Sequence, residues 1–564
     1  MQERVDTEDG TGGVSRSGRA RWVLAGSMLI MGACGIMYEY ALGSLGNNLM
    51  GSSHEQIFVV IGIMMFAMGV GAELQRRFDH HLVDTFLIAE VLLGVAGGVS
   101  VLATYTAFVY WANYQIVLFT FAFGIGCLIG LEVPLLIRIN QRYAPDLRAN
   151  LGNILSMDYV GSLIGALIFA YVLITRVGID RIGVGLGLAN CLVAAGGAWF
   201  FRPHMHRPGR FLLILVAGIA LLLALGLFGP RIMADLEQRT YADPIVHRST
   251  SPYQHVVLTQ RDDRLRMFIN GQLQFDSRDE HIYHEFLVHP AMSLVDDHRQ
   301  VLILGGGDGL AAREILRYPT VERIDLVDLD PLITRLAREQ ERLVALNDGA
   351  LNQAAVTVTS GAGLSPGPPL TIGRERSGPT GGDPAEVIDT ARVRLFHLDA
   401  HLFVRQVAEA ARYDVVIIDF PDPHHLELAK LYSLEFFRHL RRHLRPGGLI
   451  AIQSTSPYHA RQAFLCIGKT MRAAGFAAVP YHANVPSFGD WGWHLATRGG
   501  DIEAADLRRR LQKLSISAVT RHLTPTTVAA ATAFGKGALD DEDIVINTTF
   551  RPVIVDYYRH AWRR

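Results

Sequence analysis

Apolar residues follow two different rhythms along this chain, and the change comes near residue 230. Before it, the runs near 22–44, 56–74, 83–107, 115–137, 151–175, 182–201 and 211–229 are apolar on every side, as in FLLILVAGIALLLALGLFG at 211–229. About 20 such residues suffice for a membrane-spanning helix. A buried helix of a soluble protein would instead show an amphipathic stripe. The first run is too long, and followed by too many like it, for a cleaved signal peptide. After residue 230 the rhythm shortens. QHVVLTQRDDRLRMFINGQLQFDS (254–277) alternates apolar and polar residues around Asn270-Gly271, the pattern of a β-hairpin. Residues 282–295 predict a helix, and VLILGGGDG (301–309) a buried strand entering a tight turn. A helix over 310–317 and a strand over 323–330 follow, with further buried strands at 414–420 and 449–454. Strand–helix alternation with continuously apolar strands predicts a doubly wound parallel sheet. Ligands of such sheets bind at the carboxyl ends of the strands.

The expected organisation is a polar tail (1–21), a transmembrane region of about seven helices (22–230), a small antiparallel β region (231–281), an α/β domain (282–520) and a C-terminal extension (521–564). A Gly/Pro-rich insertion at 355–391 interrupts the α/β domain and reads as a surface loop without chemistry. Five acids lie in or beside the apolar runs. Glu73 and Glu132 fall near predicted ends, where water is close, Glu90 lies within a run, and Glu39 and Asp158 are better placed to pair in the interior. Arginines precede the first span and follow the second, fourth and sixth, while the first and third loops carry no Lys or Arg. The loop-charge rule therefore puts the N-terminus in the cytoplasm, and seven spans would leave the α/β half outside. Net charge is −1, which gives no ground for a nucleic-acid partner. The four cysteines make no CxxC or Cys/His spacing, so neither a disulfide framework nor a zinc site is expected.

The candidate chemistry gathers at strand ends. Gly305, Gly307 and Gly309 form a Gly-x-Gly-x-Gly turn, weak by itself, but Asp328 ends the next strand, where an acid can hold ribose hydroxyls. Together they point to an adenosine-containing ligand, and Asp308 within the turn would repel a pyrophosphate. Asp330 and Asp399 also fall at or just past strand ends. Asp308, Asp419 and Asp422 are expected at neighbouring strand ends, giving one cleft three carboxylates. Such a cleft attracts ammonium groups, and crowding raises at least one carboxyl toward the range of a proton acceptor.

From about 245 to 500, the insertion apart, the sequence resembles the polyamine aminopropyltransferases, the family of the spermidine synthases. SPYQHVVL resembles the family's segment with a Tyr-Gln pair, DEHIYHE (279–285) its D-E-x-x-Y-H-E, LILGGGDG its G-G-G-D-G and LVDLD its V-E-I-D. YDVVIIDFPDP resembles its Y-D-V-I-I-x-D-S-x-D-P, and VPSFGDWGW (485–493) its Y-P-S-G-x-W-G-F. The resemblance implies a Rossmann-like, class I methyltransferase-like fold and decarboxylated S-adenosylmethionine as co-substrate, with no other cofactor and no metal. It implies that Gln254, Gly305, Gly307, Asp328, Asp399 and Ala400 hold the donor's thioadenosine. Tyr283, His284, Asp308 and Asp422 would hold the polyamine, with Asp419 the proton acceptor. It also implies a homodimer or homotetramer. Asp328 stands where the family usually has Glu, Phe420-Pro421 replaces a small polar pair, Val485 stands where soluble members have a substrate-contacting Tyr, and Phe488 looks inserted. The donor pocket is therefore expected complete and the acceptor pocket altered and drier, with putrescine or a related diamine as acceptor. Because that donor is an intracellular nucleoside, the α/β half is expected to face the cytoplasm, against the loop charges. The pair 151–175 and 182–201 is then the first place to look for a misjudged span. Two other readings stay open. One is a methyltransferase using intact S-adenosylmethionine, although Ile303 stands where such enzymes commonly carry an acid. The other is a membrane transporter or sensor whose soluble domain only binds a polyamine.

Overall fold

The structure, a computed structural model, describes residues 10–49, 54–141, 146–352, 354–357, 392–406 and 412–562. The chain divides into two units, Met1–Pro244 and Ile245–Arg564.

In the first unit, seven helices among the described residues are long and apolar enough to cross a membrane: Trp22–Asn47, Gln56–Arg77, Leu82–Tyr110, Tyr114–Asn140, Arg148–Leu173, Ile179–His204 and Pro208–Thr240. The segments suspected of hiding a misjudged span are two separate helices, one of which passes through a π-turn at Phe169–Leu173 before its last residues, Ile174–Arg176. Glycines bring helices into backbone contact, as small residues do between apolar helices. A Cβ on Gly94 would stand 2.6 Å from the carbonyl oxygen of Gly187. The acids differ from expectation. Glu39 and Asp158 are half-buried, whereas Glu90 and Glu132 are 0% and 1% exposed. Glu132 escapes the solvated end because its helix continues to Asn140, two turns further on.

The second unit opens with a four-stranded antiparallel sheet in the order β1 (Ile245–Thr250), β2 (His255–Arg261), β3 (Arg264–Ile269) and β4 (Gln272–Asp276). The Asn270-Gly271 turn has both residues left-handed, at φ 49° and 79°, as a tight hairpin requires. The run expected to form one hairpin folds as three strands, because Asp262 also takes a positive φ of 56° and makes a second turn. The helix Glu280–Leu294 then leads to an eight-stranded sheet.

Its strands are β5 (Gln300–Gly305), β6 (Arg323–Asp328), β7 (Ala355–Thr357), β8 (Val393–His397), β9 (Tyr413–Asp419), β10 (Leu444–Gln453), β11 (Phe476–Val485) and β12 (Gly489–Arg498), in the order β11-β12-β10-β9-β5-β6-β8-β7. Six strands, from β10 to β7, run parallel. The sheet is nonetheless mixed, since β12 is antiparallel to both β10 and β11. β11 and β12 are joined by a short turn, which only antiparallel neighbours permit. Val301–Leu304 at the centre are 0% exposed, covered on both faces, which explains their unbroken apolar run. Residues 355–357 of the expected insertion form β7, and 358–391 lie outside the described residues. The C-terminal residues are tied to this core: the amides of Arg521, His522 and Leu523 donate to the buried Glu285 carboxylate at 2.6, 2.9 and 2.8 Å.

Candidate active site

The carboxyl ends of β5, β6, β9 and β10 open onto a cavity of about 230 Å³, which residues of β3 and β4 also line. Every residue expected to hold the donor or the polyamine or to accept the proton lines it. Gln254, Gly305, Gly307, Asp328, Asp399 and Ala400 are among them, as are Tyr283, His284, Asp308, Asp419 and Asp422.

The turn after β5 sets its floor. Gly305, Gly306 and Gly309 have φ of 83°, 64° and 82°, where an L side chain is strained. A Cβ at Gly305 would collide with the carbonyl oxygen of Asp419, its register partner on β9. A Cβ at Gly307 would stand 2.5 Å from Asp328 Oδ2. That closeness lets Asp328 accept the Gly307 N–H at 3.0 Å and the Asp330 N–H at 2.9 Å. Burial pushes the Asp328 carboxyl up to about 6. Asp330 is occupied elsewhere, capping the next helix through Leu332 N at 2.9 Å and accepting Ser251 Oγ–H at 2.6 Å. Asp399 accepts the His401 N–H at 2.8 Å and pairs with Lys430 at 2.6 Å.

A network of fixed charges stands beside this turn. Tyr283 Oη donates to Asp419 Oδ1 at 2.6 Å, and His284 Nε2 lies 3.9 Å from Asp419 Oδ2. His284 Nδ1 faces only acceptors, the Glu280 carboxylate at 2.9 Å and the Glu280 carbonyl at 2.8 Å, so Nδ1 carries a proton. Glu280 in turn receives two hydrogen bonds of 2.9 Å from Arg313. Burial works against a charge on His284, but Glu280, then Asp419 and Asp308, raise it to about 9. Burial also resists ionisation of Glu280, yet His284 and Arg313 hold it down at about 2.

Asp308 Oδ1 accepts the Leu310 N–H at 3.0 Å. Burial pushes its carboxyl up to about 6, with His284 pulling it down and Asp419 pushing it up. Asp422 accepts Tyr558 Oη–H at 2.8 Å and a long contact of 3.5 Å from Gln453 Nε2, and burial raises it to about 6 as well. Gln453 Nε2 also donates to the Phe420 carbonyl at 2.5 Å and to Tyr432 Oη at 2.7 Å, fixing the turn that carries Asp422. Phe420, Pro421, Phe488 and Trp491 form the apolar wall. Phe488 lies against Trp491 with ring centres 5.0 Å apart and the planes tilted by 39°, while Val485 is fully buried and does not line the cavity. Ser487 holds this turn in place by donating its amide and hydroxyl to Asp279 at 2.6 and 2.9 Å.

Sequence reasoning did not single out Glu280, Arg313, Gln453 or Tyr558. Glu280 lay inside a quoted motif, and Gln453 was legible as a polar residue ending a buried strand. Arg313 and Tyr558 carried no signal, Tyr558 standing 136 residues from its partner. The assembled cleft has a glycine turn closed by one acid, and beside it three more acids contacted by a histidine, tyrosines and an amide. It can bind cationic groups and take a proton from one of them.

Comparison with known proteins agrees with this chemistry. The spermine/spermidine synthase domain matches residues 280–365 and 382–506, the gap falling in the insertion. Polyamine aminopropyltransferase 1 of Streptomyces coelicolor is 37% identical over 96% of this chain and 95% of its own length. The polyamine aminopropyltransferase of Mycobacterium tuberculosis is 36% identical over 98% of each chain, and that of Oceanobacillus iheyensis 34% over 94% and 96%. Alignments of this length include the apolar helices as well as the α/β unit. The chain belongs to the polyamine aminopropyltransferase (spermine/spermidine synthase) family.

Proposed function

We propose that this cleft transfers the aminopropyl group of decarboxylated S-adenosylmethionine to putrescine or a related diamine, giving spermidine or its analogue and methylthioadenosine. The observation that carries the reading is the meeting, in one cavity, of the glycine turn closed by Asp328 with the buried acids Asp308, Asp419 and Asp422. Gln254, Gly305, Gly307, Asp328, Asp399 and Ala400 hold the thioadenosine. Tyr283, His284, Asp308 and Asp422 place the diamine, the two acids pairing with ammonium groups that stay charged. Asp419 takes the proton that the attacking nitrogen must lose. The freed lone pair then attacks the aminopropyl carbon bonded to the sulfonium, the C–S bond breaks, and its electrons return to sulfur as a thioether. Tyr283 and His284 hold Asp419 in place for this step. Alignment of the two substrates supplies much of the rate, since effective molarity accounts for about 7–11 kcal/mol in well-oriented reactions. The test is a product assay of the full chain with the decarboxylated donor and diamines of increasing length. Methylthioadenosine and a longer polyamine should appear in equal amounts. Methylated product from intact S-adenosylmethionine, or no methylthioadenosine with any diamine, would refute the reading.

The same reading has the seven apolar helices cross a membrane and the α/β unit face the cytoplasm, because its donor is made inside the cell. Seven crossings then put the N-terminus on the far side, against the loop charges. A reporter active only in the cytoplasm, fused after Arg564, should be active. A silent reporter, with a periplasmic-type fusion active at the same site, would refute this orientation.

A further inference from the structure

The opposite end of the large sheet carries a second cleft, of about 1120 Å³, where the parallel strands begin. Six arginines line it: Arg405, Arg412, Arg438, Arg441, Arg442 and Arg498. They come from separate places in the sequence. Arg405 and Arg438 lie in the last turns of the helices Ala400–Gln406 and Leu434–Arg441. Arg412 immediately precedes β9, Arg441 and Arg442 precede β10, and Arg498 ends β12. No Asp or Glu lines the cleft among the described residues.

Arginines at such positions usually find carboxylates nearby, as Arg445 does with Asp414 at 2.6 Å. None of these six makes an ion pair or a side-chain hydrogen bond with a described residue. Two of them are half-buried, and the Nε atoms of Arg441 and Arg498 are shut off from water without a partner. Gly475, left-handed at φ 89°, leaves room for the Arg441 guanidinium, which a Cβ there would approach to 3.2 Å. The field is felt by His439, which lines the same cleft: burial, then Arg442 and Arg405, hold it below the usual imidazole range. A favourable interaction with helix dipoles accounts for arginines in last turns. It does not account for Arg412, Arg442 and Arg498, nor for the convergence of all six. Like charges gathered on a concave surface focus a positive potential that attracts anions.

The guanidinium fork matches phosphate oxygens in pairs, and several forks around one cleft match several phosphate groups. A cleft of this volume exceeds a single phosphate and is somewhat larger than most small-ligand sites. We propose that this arginine cleft is a binding site for a polyvalent phosphate anion, distinct from the carboxylate cleft at the other end of the sheet. The phosphates belong to a free oligophosphate or nucleotide, or to lipid headgroups.

Titration calorimetry with sodium triphosphate on the full chain, reconstituted in phosphatidylcholine nanodiscs, tests the site. Saturable binding that weakens steeply with added salt is expected. Arg441→Gln with Arg498→Gln should weaken it by roughly tenfold or more. Should that pair unfold, the exposed pair Arg405→Glu and Arg438→Glu serves, and its loss should be at least as large. Repeating the titration in phosphatidylglycerol nanodiscs separates the sources. Unchanged affinity there assigns the site to a free anion, and affinity abolished by the anionic lipid assigns it to headgroups. Absence of saturable binding in phosphatidylcholine, or equal affinity in the wild type and a folded variant, would overturn the proposal.

Discussion

The two ends of the eight-stranded sheet are built from opposite charges, and they treat those charges differently. At the carboxyl end, Asp308, Asp328, Asp399, Asp419 and Asp422 each have named partners: a backbone amide, a tyrosine, a lysine or a glutamine. At the amino end, six arginines converge and no described residue satisfies them. The acids are positioned before a ligand arrives, as catalysis requires, because a group that must accept a proton at one atom cannot wander. The arginines are gathered without being fixed, which suits recognition of charge more than chemistry at one atom. The strongest way to sharpen this contrast is to neutralise one acid of the carboxyl end. Asp419→Asn keeps the shape and the Tyr283 contact but cannot accept a proton. Turnover should fall by roughly 10²-fold or more while methylthioadenosine binding stays near normal. Near-normal turnover would remove Asp419 from the proton transfer.

Asp308→Asn asks whether a fixed acid reads amine charge. Its carboxylate faces ammonium in the proposed complex and is remote in role from the adenosine. Polyamine affinity should drop by about 10–100-fold, the equivalent of a charge-assisted hydrogen bond of about 1.5–3 kcal/mol, with much less effect on methylthioadenosine. Equal losses for both ligands in calorimetry would make Asp308 a structural part of the turn.

How far each end was legible in the sequence follows from the same contrast. The acids end apolar strands or stand three residues past them, so strand prediction placed Asp308, Asp419 and Asp422 in one cleft and Asp328 at the end of the neighbouring strand. The Gly-x-Gly-x-Gly turn read correctly because its glycines meet a backbone carbonyl and a carboxylate that admit no side chain. Arg405, Arg412, Arg438, Arg441, Arg442 and Arg498 follow no spacing, since two helix-to-strand connections and the end of β12 supply them. Only the sheet order brings them together. The antiparallel edge formed by β11 and β12 was also hidden, because a two-sided apolar strand reads alike in either direction. Glu132 misled for a related reason: hydropathy marks a helix's apolar core, not how far the helix continues past it.

Acidity distinguishes the ends further. Burial pushes the carboxyls of Asp308 and Asp422 up to about 6. Below that pH they are neutral and cannot pair with ammonium, and above it they are ionised. For the free enzyme, kcat/KM for the diamine should therefore rise with pH through about 6. Tyr558 donates to the ionised form of Asp422, so Tyr558→Phe removes a bond that favours ionisation. The acid limb should move up by about 0.7 pH unit, the worth of about 1 kcal/mol, so kcat/KM should fall by roughly fivefold at about pH 5 and by less than about twofold at pH 7. An acid limb unmoved in the variant would detach Tyr558 from the site.

The smallest effect concerns glycine at the arginine end. Gly305 and Gly475 are both left-handed, but they are guarded by different things. A side chain at Gly305 meets the backbone of β9, which the sheet holds still. A side chain at Gly475 meets the Arg441 guanidinium, the far end of a flexible chain that has no partner to leave. Gly475→Ala should therefore cost only the left-handed strain, about 1–2 kcal/mol, lowering the melting temperature of the α/β unit by about 2–8 °C. Displacing one guanidinium of six should weaken triphosphate binding by a few fold, less than removing the charges of Arg441 and Arg498 together. Diamine affinity should not follow, because the carboxylate cleft lies at the other end of the same strands. Parallel losses of triphosphate and diamine affinity in the folded variant would mean that the two ends are coupled through the sheet, and the division of labour between fixed acids and gathered arginines would fail.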